Sequence, residues 1–354
     1  MKGFEELRIE LTDGEWPYEF TDHDRMIVRA IVFDDDGYFY FVRADRDDDF
    51  GKAIVIETSG GGVEDGEDLA TAIGRELREE LGVEVEVVDK IGVVSDYYNL
   101  IHRHNINNYY LCRVTSFGDR HLTDDEANQF HLSTLRLEFD DAIKEYEINK
   151  KYKLGRIISN REIPILLRAK EMLDRMAMSK RADVLVTERL RLAKIEGNNI
   201  ELLADIFSHP FVGKTYMVPE FKSRDEAVAL AKRVADMSNC RQRFVYGIHI
   251  GEKLIGLVNE VDLDQGKIEL GFVISPDENS KGYATETLKV CIKHLLELGF
   301  DSVKTGAFEE NAASIRVMEK CEMTRLDEVE HIEYRGIEHR CIMFETRRKI
   351  GAER

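Results

Sequence analysis

The sequence predicts two mixed domains in one chain, the first α+β and the second α/β. Three observations carry that expectation. A chain of 354 residues is longer than one hydrophobic core usually supports. A polar segment, Ser179-Lys180-Arg181-Ala182-Asp183, follows a helical pattern at Ile163 to Leu173 and precedes a strand-like run from Leu190, dividing the chain into residues 1–180 and 181–354. The order of elements also changes there: strands outnumber helices before it, and strands interleave with long helices after it.

In the first half, Met26 to Phe33 is rich in branched residues and reads as a strand. Asp34-Asp35-Asp36-Gly37 is a hairpin turn, and Tyr38 to Arg43 returns. Ile54 to Glu57 is a short strand leading into Gly60-Gly61-Gly62. A helix runs from about Leu69 to Leu81 and ends at Gly82. Further strands fall near Val83 to Val88 and Asn108 to Val114. In the second half, Arg224 to Met237 is helical. Phe244 to Ile250 and Leu254 to Val261 form a hairpin, and Lys267 to Ile274 is a third strand. The helix after it carries Ala284, Leu288, Cys291, Ile292 and Leu295 at helical spacing.

Composition excludes several classes. The hydrophobic fraction of 43% beside 34% charged residues is that of a soluble globular protein. A net charge of -19 argues against binding duplex nucleic acid, which needs Lys and Arg to displace counterions. A nucleotide substrate stays possible because a bound metal neutralises phosphate locally. The five cysteines, Cys112, Cys240, Cys291, Cys321 and Cys341, are widely spaced with no C-x-x-C pair, the pattern of reduced cytosolic thiols. The opening from Met1 to Glu10 is polar, and no apolar stretch is long enough to span a bilayer. A cytoplasmic protein without a membrane partner is expected.

The helix from Leu69 to Leu81 carries the strongest chemical signal. Ala70, Ile73, Leu77 and Leu81 mark its buried stripe. Glu76 and Glu80 are one turn apart and Glu79 lies three after Glu76, so the three carboxylates are neighbours. Glu80 falls nearly in line with the buried stripe. Like charges repel, and a carboxylate turned toward apolar surroundings costs several kcal/mol unless compensated. Hard divalent cations supply that compensation. The alternative is a solvated acidic face salt-bridged by Arg75 or Arg78.

The stretch from Gly61 through Glu67 to Arg75-Glu76-Leu77-Arg78-Glu79-Glu80-Leu81-Gly82-Val83 resembles the Nudix box, G-x5-E-x7-R-E-U-x-E-E-x-G-U with U apolar, at every specified position. The resemblance implies an α/β/α Nudix sandwich that hydrolyses a nucleoside-diphosphate-linked phosphoanhydride, a nucleotide derivative, with Mg²⁺ or Mn²⁺. Glu76, Glu79 and Glu80 would then bind the metal and Gly61 would contribute backbone. Glu67 and Arg75 would orient the helix. Glu79 and Glu80 are candidates for the catalytic base, as are Asp124, Asp125 and Glu126 in a later loop. His102 and His104, which bracket Arg103 before a strand, suit either a phosphate or base contact or a loop or sheet-edge role. Tyr97, Tyr98, Tyr109 and Tyr110 suit either stacking or half-buried packing.

In the second half, Ser275 to Glu286 is a strand end, a polar loop and a helix start near Gly282, the local setting of a backbone anion site. Thr187 to Leu192, Glu269 to Pro276, Lys281 to Glu286 and Asn311 to Lys320 together resemble the GNAT acetyltransferases, in the branch of the ribosomal-protein acetyltransferases. The resemblance runs from about Leu185 to Arg347 and implies the GNAT acyl-CoA acyltransferase fold, acetyl-CoA as cosubstrate and an amine acceptor, small molecule or protein. Ser280, Lys281, Gly282, Tyr283 and Ala284 would hold the CoA pyrophosphate. Phe272, Val273 and Ile274 would bond the pantetheine arm, and Asn311 and Ser314 would face the arm and thiol, with Asn311 taking part in catalysis. Glu269 is the candidate base for the amine, with a structural strand glutamate as the alternative. Three departures stand out: Asn279 replaces the Arg or Gln that opens the pyrophosphate loop, Met318 a common tyrosine acid, and Cys321-Glu322-Met323 the usual x-Gly-Phe. The expected protein is a bifunctional hydrolase and acetyltransferase. The alternatives are a hydrolase with a non-catalytic acetyl-CoA-sensing domain and a nucleotide-binding regulatory module.

Overall fold

The computed structural model describes residues 4–122 and 130–348. The chain divides into two compact units, Met1–Met172 and Leu173–Arg354. The division falls inside a helix, ahead of the polar segment at 179–183.

The first unit contains β1 (Leu7–Leu11), β2 (His23–Phe33), β3 (Phe39–Asp48), β4 (Gly51–Glu57), α1 (Leu69–Leu81), β5 (Val83–Tyr98), β6 (Arg103–Phe117), β7 (Ser133–Leu137) and α2 (Phe139–Asn149). Helix α3 (Lys153–Ser179) begins in it. The strands form one sheet in the order β1-β5-β6-β2-β3-β4, with β7 on β3. Strands β2 and β6 run parallel from His23 opposite Arg103 to Phe33 opposite Arg113.

One sheet face buries Val28, Ala30 and Val32 against Ala72, Ile73, Leu77 and Leu81 of α1. On the other face, Tyr146 of α2 packs edge-on against Phe41, and Glu162 of α3 accepts from the Tyr109 hydroxyl at 2.9 Å. Helices therefore cover both faces. Ala70 is exposed and Ala72 takes its expected place in the buried stripe, because Asp68 caps the first turn from outside. Strand β5 runs to Tyr98, well past Val88, because register shifts between Glu84 and Gly92 interrupt the alternation that marks a strand. Helix α3 starts ten residues before Ile163; buried Arg161 and internal Pro164 hide its apolar stripe.

The second unit contains β8 (Leu185–Val186), β9 (Arg191–Ala193), α4 (Asn199–Ser208), α5 (Val212–Thr215), α6 (Arg224–Asn239), β10 (Val245–Ile250), β11 (Lys253–Asp264), β12 (Lys267–Ile274), α7 (Tyr283–Glu297), β13 (Ser302–Phe308), α8 (Ala312–Lys320), β14 (Thr324–Tyr334) and β15 (Ile337–Arg347). The sheet order is β14-β15-β13-β12-β11-β10-β9-β8. Leu288, Cys291 and Leu295 of α7 cover one face with Tyr246, Leu270 and Val303. Leu203, Phe207, Ala227 and Ala231 of α4 and α6 cover the other with Val245, Leu257 and Val273.

Strands β12 and β13 are parallel, and they pair only from Lys267 opposite Ser302 to Glu269 opposite Lys304. Beyond that point β12 stays with β11 as far as Ile274, and β13 stays with β15 as far as Phe308. The two strands splay apart and leave one edge of Leu270 to Ile274 without a partner strand. No helix among the described residues is long and apolar enough to cross a membrane.

Candidate functional sites

In the first unit, the glycine loop after β4 runs beside β2. The Val28 amide donates to the Gly61 carbonyl at 3.0 Å, and the Ala30 amide to the Ser59 carbonyl at 3.0 Å. Close approach selects glycine here. A Cβ on Gly60 would sit 2.1 Å from the Val28 carbonyl oxygen, and one on Gly61 would sit 2.4 Å from the Glu76 carboxylate.

Helix α1 presents its carboxylates to this loop. Glu76 and Glu80 are each only 7% exposed. Glu80 accepts from the Ser59 hydroxyl at 2.6 Å and the Gly60 amide at 2.9 Å. Burial, with the neighbouring Glu76 charge adding to it, pushes the Glu80 carboxyl up to about 7, although Ser59, Gly60 and Arg29 act the other way. Arg75 ties the rest together. It reaches Glu67 at 2.9 Å, Glu76 at 2.8 Å, Glu79 at 3.3 Å and the Gly62 carbonyl at 3.1 Å.

No group of three or more His, Cys, Asp or Glu among the described residues stands ready as a metal cage; Arg75 is the cation that holds Glu76 and Glu79. The donor set nevertheless fits a hard divalent cation. Glu76 rests in the space a Cβ on Gly61 would fill, Glu80 is a buried carboxyl beside it, and the Gly61 carbonyl keeps a second lone pair. Asp124, Asp125 and Glu126 lie outside the described residues.

In the second unit, a cavity of about 400 Å³ opens where β12 and β13 part. Phe272, Val273, Ile274, Ser280, Gly282, Tyr283, Ala284, Asn311 and Ser314 line it. Ser280 and Gly282 are left-handed, with φ of 64° and 86°, and Gly282 is the cap of α7. The loop is strapped from β8–β9. Arg189 donates to the Lys281 carbonyl at 3.0 Å and to Glu286 at 2.7 Å, and the Thr187 hydroxyl donates to Glu286 as well. Asn311 caps α8, accepting from the Ser314 amide at 3.2 Å and donating to its hydroxyl at 3.0 Å.

A NUDIX domain sequence model matches residues 23–152, and an acetyltransferase (GNAT) domain model matches residues 189–324. The chain carries a Nudix domain followed by a GNAT domain. It is 28% identical over 145 residues to the uncharacterized N-acetyltransferase p20 of Bacillus licheniformis, covering 38% of this chain and 79% of that protein. It is 25% identical over 142 residues to the uncharacterized N-acetyltransferase YoaA of Bacillus subtilis (strain 168), covering 39% and 80%. Among solved structures, an acetyltransferase (GNAT family) from Bacillus anthracis aligns at 20% identity and a TM-score of 0.42, covering 47% of this chain and 98% of that one.

Not every residue expected in the GNAT site lies in the cavity. Lys281 instead pairs with Glu278 at 2.6 Å. Glu269 is not among the lining residues; it lies where β12 and β13 still pair, opposite Asp262 on β11. Burial, then the charges of Glu330 and Asp262, raise its carboxyl above the ordinary range. Met318 is fully buried in the core, so it takes no part in the cavity.

Sequence reading missed Tyr216, Arg316 and Lys320, which also line the GNAT cavity, and the strap from Arg189. Tyr216 donates to Asn259 at 2.5 Å. A lone tyrosine in the segment 207–221 carries no spacing signal. In the Nudix domain, His104 is held by Asp24 and Ser95 at 2.7 Å each, and Tyr109 is buried against Glu162.

Glu322 stands where the GNAT pattern has glycine, and its φ is 59°. A left-handed L-residue costs about 1–2 kcal/mol, partly offset by the unfolded-chain entropy that glycine adds. Glu322→Gly is therefore expected to raise stability by up to about 1 kcal/mol, read from denaturant midpoints.

Proposed function

We propose that the chain is a bifunctional enzyme, with a metal-dependent hydrolase of nucleotide-linked phosphoanhydrides in its Nudix domain and an acetyl-CoA-dependent amine acetyltransferase in its GNAT domain. The observation that carries the first activity is the buried pair Glu76 and Glu80 pressed against the glycine loop. Two neighbouring buried carboxylates are costly unless a cation joins them. Glu76, Glu79, Glu80 and the Gly61 carbonyl would hold Mg²⁺ or Mn²⁺. A bound divalent ion lowers the pKa of water and neutralises phosphate charge.

The chain's own residues do the rest. Ser59 and Gly60 hold Glu80 in one orientation, and Arg75 fixes Glu76 and Glu79. Glu79, whose side chain is 35% exposed, can take a proton from attacking water; Glu80 is the other candidate. With Mg²⁺, purified protein is expected to release phosphate product from members of a nucleotide panel, and Glu79→Gln to cut the rate by roughly 10²- to 10⁴-fold. An inactive wild type, with Glu79→Gln indistinguishable from it, would sink this reading.

For the second activity, the carrying observation is the splayed β12–β13 edge above a left-handed loop at the α7 N-terminus. Unpaired strand amides suit a pantetheine arm, and the loop amides suit a pyrophosphate. Arg316 and Lys320 add positive charge to the lining. Glu269 would accept the proton of the attacking amine, directly or through water. A base works only when ionised, and this carboxyl is raised. Acetyl transfer should therefore climb with pH through a limb lying above the ordinary carboxylate range. Glu269→Gln is expected to remove that limb and slow transfer by about 10²-fold or more. An unchanged pH profile of thiol release would leave Glu269 a structural strand residue.

A further inference from the structure

Beside the glycine loop lies a group of side chains that neither the box nor the hydrolytic chemistry uses. Arg25 of β2 stands opposite Asn105 of β6, and Arg103 is two residues before Asn105, so all three share one sheet face. Asn105 is 1% exposed and its Oδ1 has no hydrogen-bond partner; the buried Nε of Arg103 has none either. Among the described residues, no carboxylate lies within ion-pair distance of Arg25 or Arg103. Burial, then the charges of Arg25 and Arg29, act against the Arg103 charge; Tyr98, whose ring it covers at 5.6 Å, and Asp96 offset this in part. In a chain with 69 acidic and 50 basic residues, two neighbouring guanidiniums without a carboxylate at ion-pair distance among the described residues are uncommon, and the orphaned buried Asn105 Oδ1 and Arg103 Nε beside them call for an external partner.

Their place relative to the carboxylates says which partner. Glu76 faces the α-carbon of Gly61, whereas the Arg25 guanidinium would lie 2.7 Å from a Cβ on the next residue, Gly62. Alternate residues of an extended segment face opposite sides. Arg25 and Glu76 therefore flank the loop from its two sides, at residues one Cα step of about 3.8 Å apart. Opposite sides place them against different groups of one substrate, the carboxylates at the phosphoanhydride and Arg25 at the next anionic group.

We propose that Arg25, Asn105 and Arg103 form a subsite for a phosphoryl group carried beyond the scissile phosphoanhydride. The substrate class is thus a nucleotide-linked phosphoanhydride with an additional phosphate on its far arm. The arginines donate to the phosphoryl oxygens in a forked geometry, and Asn105 accepts from a hydroxyl beside it. This assignment rests on the hydrolase reading of the same domain.

The test is calorimetric binding to the full chain with Ca²⁺ in place of Mg²⁺, using NADP⁺ against NAD⁺ for a terminal phosphate and diadenosine tetraphosphate against diadenosine diphosphate for chain phosphates. Wild type is expected to favour the more phosphorylated member of at least one pair by roughly tenfold or more, and the pair that responds identifies the source. Arg25→Gln, at an exposed position, should bring that ratio near one without weakening the less phosphorylated ligand. Arg103→Lys should retain part of it. A wild-type ratio near one for both pairs, or a ratio unchanged in Arg25→Gln, overturns the subsite. A phosphate preference that depends on Arg25, in a protein that hydrolyses nothing, keeps the subsite and removes the hydrolase reading instead.

Discussion

Glu80→Gln is expected to abolish most metal-dependent hydrolysis, by roughly 10²- to 10⁴-fold, while leaving the metal-free protein as stable as wild type or more so. The two effects have one cause. Glu80 is a buried carboxyl whose ionisation is opposed by desolvation and by Glu76. The amide keeps the Ser59 partner and the shape of the side chain, and it removes the cost of a buried charge. It also removes a hard anionic donor, so Mg²⁺ should lose most of its ability to raise the melting temperature, an effect that follows occupancy of the folded state. Thermal melts with Mg²⁺ and with chelator, beside initial hydrolysis rates, check both halves. A variant that hydrolyses normally and still gains stability from Mg²⁺ would show that Glu80 is no ligand.

Arg161→Met should have the largest effect on stability. Arg161 has no exposed surface. It bonds Asp96 at 3.0 Å, the Tyr98 hydroxyl oxygen at 2.8 Å and Glu162 at 2.9 Å. Glu162 in turn accepts from Tyr109 and from Thr58, each at 2.9 Å, and Asp96 accepts from Asn107 at 2.8 Å. Removing the central cation leaves Asp96 and Glu162 buried with Arg29, Arg103 and neutral donors as what remains near them. Breaking such a network from one side costs about 3–5 kcal/mol, which moves a urea midpoint down by about 1–2 M. Trp16, the single tryptophan, packs on Phe50 in the same unit, so its fluorescence follows this transition. An unchanged midpoint would mean the network contributes little.

That network also marks where sequence reading stopped. Arg161 and Glu162 fall just ahead of the helical pattern that the sequence shows from Ile163, and nothing local marks them, because their partners come from β5, β6 and the end of β4. Helix α1 behaved differently. Its cap at Asp68, its left-handed Gly82 and its stripe are local features, and its limits were legible from spacing alone. Only Ala70 was misassigned: Ala72, about 200° round the same turn, is the buried one, and packing against the sheet decides between them. The glycine loop was legible as a motif. The reason for each glycine was not, because Val28 and Glu76 approach from distant parts of the chain.

The GNAT domain divides the same way. Gly282 and the N-x-x-S helix start are short-range signals, and the structure brings them to one cavity with Phe272 to Ile274. The strap from Arg189 to Glu286 joins residues 97 apart, and Tyr216 enters the lining from a segment without a pattern. Glu269 looked well placed by sequence, and the sheet sets it where β12 and β13 remain joined.

By itself, then, the sequence determined the two families, the order of their domains and the backbone turns of the two glycine loops. These depend on residues within one or two turns of each other, where spacing maps onto geometry. Tertiary structure alone decided which charges are buried, which are paired and which are left open: Arg75 across three glutamates, Arg161 closed within its network, Arg25 and Arg103 without carboxylate partners among the described residues. Charge pairing depends on distance through the fold and on the water removed around it, and neither quantity is written in the spacing of residues along a chain.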